Sequence, residues 1–132
     1  MIHKIAAEKS GEGYVILIAG DEAHPEIMGI RGHCSGESYV FSSCDDFENL
    51  VKEKDFSSKK VAILAQTTYN KNMWRKCEEL FERYLPEAVV YNTICSATSE
   101  RQKEAAELAK AADIMIIVGG LHSSNTHKLK AI

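Results

Sequence analysis

Five short apolar runs, rich in β-branched residues, most constrain how this chain can fold. They read YVILIA (14–19), SYVFS (38–42), KVAILAQ (60–66), AVVYNT (88–93) and IMIIVGG (114–120). The runs are continuous rather than alternating, which is typical of strands that are buried on both faces. They therefore predict an α/β fold in which a parallel sheet of four to five strands has helices on both faces.

Helix-forming segments separate the runs. They are MIHKIAAEKSG, DDFENLVKEK, NKNMWRKCEELFERYL and SERQKEAAELAKAA. In the third of these segments, one face of the helix carries Met73, Cys77, Leu80, Phe81 and Tyr84. Such a stripe should pack against the sheet. The alternation predicts four parallel strands over residues 14–93. The strand at 114–118 is expected either beside them or as the start of a second unit.

Composition narrows the function classes. Of the 132 residues, 45% are hydrophobic and 27% are charged, and the net charge is −3. A concentrated basic surface for nucleic acid or an anionic membrane is not expected. The apolar runs are far shorter than the ~20 residues that span a bilayer, and the N-terminus has no signal-peptide pattern. We expect a cytoplasmic protein with no nucleic-acid or membrane partner.

The two ends of the chain are abrupt. IHKIAAEK reads like the interior of a helix because no capping residue precedes it. SSNTHKLKAI begins like a capped helix but has room for only about two turns. These features lead us to expect an internal fragment of a longer protein.

Polar side chains collect in the loops that leave the predicted strands, where ligands bind in open parallel sheets. The loops carry His24 and Glu26, then Gln66, Thr67 and Thr68, then Cys95, and finally His122, Ser123, Ser124 and Asn125. Taken singly, these residues are typical of structural histidines, first-turn acids and helix caps. Together with helix N-termini, they could bind a phosphate or diphosphate without bulk positive charge.

Cys95 lies where an apolar run turns into the start of a helix, in NTICSATSERQ (92–102). Such a cysteine can be core filler, a nucleophile or a metal ligand. A helix N-terminus favours the thiolate, which suits the last two roles. With no CxxC pair and no secretory context, a disulfide framework is not expected. We interpret Cys34 and Cys44 as incidental thiols and Cys77 as core.

Four motifs in order resemble one enzyme family. HPE follows the first strand, QTT the third, TICSATSERQ the fourth and VGGLHSSNT the fifth. This series, from His24 to Asn125, resembles the 4-hydroxy-3-methylbut-2-enyl diphosphate reductases of the methylerythritol phosphate route to isoprenoids. The opening IHKIAAEKSGEGY also resembles the helix that follows the second cluster cysteine of that family.

The resemblance implies a reductive dehydroxylation. A [4Fe–4S] cluster would deliver two electrons to an allylic diphosphate, water would leave, and isopentenyl and dimethylallyl diphosphates would form. An electron donor such as ferredoxin or flavodoxin is implied. Cys95 would be one of three cluster ligands, Glu26 would deliver protons toward the substrate hydroxyl, and Thr67 would help to fix that hydroxyl. The diphosphate would be bound by His24, Ser123, Ser124 and Asn125.

The chain also departs from the family, whose members are longer and contain three similar α/β units around the cluster. Residues 1–93 would be the middle unit, and 94–132 would begin the next. Two further ligand cysteines, an N-terminal histidine motif and a C-terminal serine segment are missing, so the isolated chain is expected to hold no stable cluster and to be inactive. The alternative is a small flavodoxin-like domain that binds a nucleotide or flavin, although no glycine-rich phosphate motif follows any strand.

Overall fold

A computed structural model describes the backbone of residues 1–132 and all side chains except those of Ser96, Thr98, Ser99 and Ser124. The chain forms two compact units, Met1–Ile94 and Cys95–Ile132. The first unit contains α1 (Ile2–Gly11), β1 (Val15–Ala19), α2 (Pro25–Gly32), β2 (Ser38–Phe41), α3 (Cys44–Glu53), β3 (Val61–Ala65), α4 (Lys71–Tyr84) and β4 (Val89–Tyr91). The second unit contains α5 (Ser96–Ala111) and α6 (Ser124–Lys130).

The four strands form one parallel sheet in the order β2-β1-β3-β4. β1 lies between β2 and β3, so that Leu17 stands opposite Tyr39 on one side and Ile63 on the other. β4 pairs with the other edge of β3, where Tyr91 stands opposite Leu64. The parallel four-stranded α/β fold predicted from the apolar runs is therefore confirmed.

Helices cover both faces of this sheet, as predicted. Every residue of β1 and β3 is buried, which explains why their sequences show no polar alternation. On one face the core contains Leu17, Ile63, Phe47 of α3, and Trp74, Cys77 and Phe81 of α4. On the other face it contains Ile16, Leu64, Ile2 and Ala6 of α1, and Ile27 and Ile30 of α2. Burial of each large apolar side chain stabilises the fold by roughly 1.5–3 kcal/mol.

The stripe predicted on α4 packs against the sheet as expected, with Cys77 and Phe81 buried. Trp74 belongs to the same buried face but was not part of the predicted stripe. Its indole Nε1–H donates to Glu78 Oε1 at 2.6 Å. This bond satisfies the polar group of Trp74, so that the large ring can lie in the core.

Cys44 and Cys77 form a disulfide between α3 and α4, with their Cα atoms 5.3 Å apart. The interpretation of Cys44 as an incidental thiol is therefore wrong. Cys77 is a core residue, as predicted, and is also one half of this pair. The pairing depends on the packing of α3 against α4, which the spacing of cysteines along the sequence does not reveal.

The apolar run at 114–120 was predicted to contain a strand, but residues 112–120 form neither helix nor strand. Ile114, Ile116 and Val118 are 83%, 85% and 93% exposed. A strand requires a neighbour for its backbone N–H and C=O groups, and the sheet of residues 1–132 ends at β4. None of the helices described is long and apolar enough to cross a membrane.

Gly20, directly after β1, is held in a place too narrow for a side chain. A Cβ atom there would lie 2.5 Å from Ile27 Cδ1 and 2.9 Å from Gln66 Oε1. Gly36 is the opposite case, because a Cβ added to it meets nothing within 4 Å.

We expect Gly20→Ala to destabilise the chain by about 1–3 kcal/mol, since overpacking would displace Ile27 or Gln66. The control is Gly36→Ala, which should be neutral or stabilise by up to about 1 kcal/mol because it only restricts the unfolded chain. Urea unfolding followed by circular dichroism measures both free energies of unfolding. Equal effects of the two substitutions would contradict the close packing at Gly20.

Candidate functional site

The loops that follow β1 and β3 meet at the carboxyl edge of the sheet. Because the two strands are parallel, their last residues, Ala19 and Ala65, stand side by side. The Gln66 N–H extends this pairing by donating to the Ala19 carbonyl at 2.7 Å. The β1–α2 loop with His24, together with Glu26 in the first turn of α2, therefore lies against the β3–α4 loop with Thr67.

His24 is the N-cap residue of α2, and its Nδ1 accepts the Glu26 N–H at 3.1 Å. An imidazole that accepts at Nδ1 carries its proton at Nε2. Nε2 is buried and has no hydrogen-bond partner among the described residues. Buried polar groups are rarely left unpaired, so this nitrogen is a donor available to an acceptor that the described residues do not supply.

Glu26 lies in the first turn of α2, and its Oε1 accepts the Thr67 N–H at 3.1 Å. Residues 41 positions apart are thus brought into direct contact. The contact holds a half-buried carboxylate beside Thr67 and next to His24 in sequence. The structure therefore places a carboxyl group, a threonine and an imidazole nitrogen with no partner among the described residues on the same edge of the first unit.

Two buried polar residues at this edge were given no role by the sequence: Gln66, which was named only as one of the loop residues, and Thr93, which was not named as a site residue. Gln66 is 4% exposed, and its Oε1 accepts the Asp21 N–H at 3.1 Å. Thr93 is equally buried, and its Oγ1 accepts the Ala65 N–H at 2.9 Å and donates to the Ala65 carbonyl. The signal for each was a polar residue as the last member of a predicted strand run, at 60–66 for Gln66 and 88–93 for Thr93.

Tyr69 connects the β3–α4 loop to the end of β2. Its hydroxyl donates to the Ser42 carbonyl at 2.8 Å. Burial, with a smaller contribution from the Asp46 carboxylate, raises the pKa of Tyr69 to about 12. The phenol therefore stays protonated at neutral pH and keeps this donor bond.

In the second unit, Cys95 is exposed and occupies the N-cap position of α5, which begins three residues earlier than the predicted helix segment at 99–112. Ser123 caps α6, where its Oγ accepts the Thr126 N–H at 3.3 Å. Asn125 Oδ1 is buried and has no partner among the described residues. The side chain of Ser124, also predicted to bind ligand, lies outside the described residues.

The described side chains include no group of three His, Cys, Asp or Glu residues that could hold a metal ion. Cys95 can supply one thiolate, but iron–sulfur clusters are held by several. The residues present therefore do not form a cluster site by themselves.

The fold and the edge contacts define an α/β protein whose candidate site residues lie at the carboxyl ends of its parallel strands, where ligands bind in open α/β sheets. The chain belongs to the LytB protein family, whose family model matches residues 1–132. This assignment favours the reductase hypothesis over a flavodoxin-like domain.

Curated relatives of this chain carry the name of one enzyme. The chain is 42% identical over 128 residues to a 4-hydroxy-3-methylbut-2-enyl diphosphate reductase of Clostridioides difficile, covering 97% of this chain and 45% of the relative. It is 40% identical over 131 residues to the enzyme of the same name from Caldanaerobacter subterraneus, covering 99% and 44%. The chain thus spans less than half the length of these relatives.

Two solved structures have the same fold. The E-1-hydroxy-2-methyl-but-2-enyl-4-diphosphate reductase of Plasmodium falciparum aligns with a TM-score of 0.73 at 26% identity, over 97% of this chain and 40% of that one. A second structure, (E)-4-hydroxy-3-methyl-but-2-enyl diphosphate reductase, aligns with a TM-score of 0.64 at 34% identity, over 97% and 45%. The latter is described as the terminal enzyme of the non-mevalonate pathway.

At the end of β3, the Thr93 hydroxyl bonds the Ala65 N–H and C=O in place of a neighbouring strand. We therefore expect Thr93→Val to destabilise the chain by about 1–3 kcal/mol. Valine has the same shape but leaves the Ala65 N–H and C=O unpaired. Thr93→Ser keeps the hydroxyl and should recover most of the loss. Urea unfolding of the three proteins provides the measurement. A valine variant as stable as the serine variant would show that the hydroxyl contributes nothing here.

Proposed function

We propose that this chain is a segment of a 4-hydroxy-3-methylbut-2-enyl diphosphate reductase and carries part of its substrate site. The observation that carries the proposal is the buried His24 Nε2, which has no partner among the described side chains and is next to the Glu26–Thr67 contact. Family membership and the names of the relatives support it. The enzyme would be a cytoplasmic oxidoreductase that removes the hydroxyl of an allylic diphosphate.

His24 is suited to hold a diphosphate oxygen. Its Nε2–H is a neutral donor, and its direction is fixed because Nδ1 is bonded to the Glu26 N–H. Phosphate oxygens accept such bonds without an ion pair. A buried donor bonds an anion more strongly than an exposed one because the low dielectric strengthens the interaction.

Glu26 is suited to deliver a proton to the hydroxyl that leaves the substrate. A carboxyl that donates a proton as the C–O bond breaks lets the oxygen depart as water rather than hydroxide. The bond from the Thr67 N–H fixes one carboxyl oxygen. The side chain of Thr67 would in turn hold the substrate hydroxyl beside the acid.

In the second unit, Ser123, Ser124 and Asn125 would bind diphosphate oxygens, and Cys95 would be one of three cysteine ligands of a [4Fe–4S] cluster. The cluster would supply two electrons, which it receives from a donor such as ferredoxin or flavodoxin. Since the described residues do not complete a cluster site, we propose that residues 1–132 alone are inactive. Residues 1–93 would correspond to the middle of three α/β units, and 94–132 to the start of the next.

Glu26→Gln should lower turnover by about 10²–10⁴-fold, because the amide can still accept the Thr67 N–H but has no proton to deliver. The measurement is steady-state reduction of the allylic diphosphate. It uses a chimera in which this chain replaces the matching span of the Clostridioides difficile relative. The control is Glu22→Gln, which removes an exposed carboxylate of the same loop that pairs with Arg31. If Glu26 only charges the start of α2, its substitution will cost some stability and leave turnover near normal.

Asn125→Ala should raise KM by about 3–10-fold and change kcat less. The diphosphate is bound both before and during the reaction. A neutral hydrogen bond to it therefore stabilises the enzyme–substrate complex and the transition state equally. Asn92→Ala is the matched control, since this exposed amide already accepts the Ile94 N–H. Steady-state kinetics of both variants in the same chimera measure the changes in KM and kcat separately. A loss confined to kcat would exclude simple diphosphate binding by Asn125.

A further inference from the structure

We propose that Gln66 is a positioning residue of the candidate site: its buried amide holds the β1–α2 loop so that Glu26 and His24 stay in place. The functional meaning of this inference rests on the proposed reductase function. The coupling itself rests on contacts that are independent of any reaction.

A closed ring of hydrogen bonds, which we call the loop clasp, joins Gln66, Asp21, His24, Glu26 and Thr67. Gln66 Oε1 accepts the Asp21 N–H at 3.1 Å, and the Asp21 carbonyl accepts the His24 N–H at 2.9 Å. His24 Nδ1 accepts the Glu26 N–H at 3.1 Å, and Glu26 Oε1 accepts the Thr67 N–H at 3.1 Å. The peptide bond between Gln66 and Thr67 closes the ring.

The closed form of the loop clasp makes its members depend on one another. The β1–α2 loop donates the Asp21 N–H to the Gln66 side chain, and the β3–α4 loop donates the Thr67 N–H to Glu26 in the first turn of α2. Opening either cross-loop bond lets the loops separate and strains the second. Hydrogen bonds arranged in such networks are cooperative.

Gln66 is the fixed point of the loop clasp because it is the one member that is fully buried. It is 4% exposed, and its own N–H continues the β1–β3 pairing through Ala19. Gly20 also leaves just enough room for Oε1, since a Cβ at Gly20 would lie 2.9 Å from it. The amide is thus anchored to the sheet, whereas Asp21 is exposed and His24 and Glu26 are half-buried.

Amide hydrogen exchange of this chain tests the proposal without any turnover. Gln66→Met keeps the volume of the side chain but removes the acceptor. We expect the Asp21 and Thr67 amides to exchange about tenfold faster relative to the core Ile63 amide, even though Thr67 bonds to Glu26 and not to Gln66. Gln66→Glu keeps an acceptor oxygen in either protonation state and should restore most of the protection of both amides.

Ser10→Ala is the matched control. Ser10 is also buried, and its Oγ accepts a backbone N–H, that of Ser35, at 3.1 Å. Loss of the Ser10 hydroxyl should destabilise the chain. It should leave the exchange rates of the Asp21 and Thr67 amides, relative to that of the Ile63 amide, unchanged. If Ser10→Ala and Gln66→Met change these relative exchange rates by similar amounts, the effect of Gln66 is general destabilisation. That result would overturn the proposal.

A Thr67 amide that keeps its protection in Gln66→Met would also overturn the proposal, because Gln66 would then hold only its own contact. If the methionine variant does not fold, the unsubstituted chain decides. The free energies of opening measured by exchange at the Asp21 and Thr67 amides should be equal and should depend equally on denaturant. Different values would refute the coupling. A coupled response together with an inactive chimera would refute the reductase function and leave the positioning role intact.

Discussion

The parallel pairing of β1 with β3 is the contact on which the rest of the first unit depends. Both strands are buried on both faces, so their register is fixed by two helix layers at once. A shift of one residue would move Ile63 from the α3–α4 face to the α1–α2 face. The same shift would carry Gln66 away from Asp21 and separate the two loops. The apolar burial that stabilises the sheet therefore also sets the geometry of the candidate site.

The sequence was sufficient to predict this sheet because double-sided burial leaves a direct pattern, a continuous apolar run. α2 left a weaker pattern and was not predicted as a helix. It has eight residues, including Gly29 and Gly32, and its clearest signals are the cap at His24 and Pro25 in the first turn. The disulfide between Cys44 and Cys77 left no pattern, because it depends on how two helices pack across 33 positions.

The run at 114–118 was predicted to be a strand and is not one. Its composition matches that of β1, yet Ile114, Ile116 and Val118 are exposed rather than buried. Apolar β-branched residues make a segment able to form a strand, but a strand exists only when a neighbour pairs with its backbone. β-Strand propensity depends on local sequence and can be predicted from it, whereas strand pairing depends on the tertiary structure. The same distinction applies to the site, where residue types indicated the chemistry but not the ring of contacts through Gln66.

The charge of the chain explains why the proposed anion site is built from neutral donors. With a net charge of −3, this chain gives an anion no general attraction, so binding at the proposed site would come from directed hydrogen bonds. A cationic side chain in place of His24 would stand beside Glu26 and pair with its carboxylate. A neutral imidazole avoids this competition, because Nδ1 accepts the Glu26 N–H and the Nε2–H remains available to the proposed anion. Glu26 can then keep its contact with Thr67 and its proposed role as an acid while an anion is bound next to it.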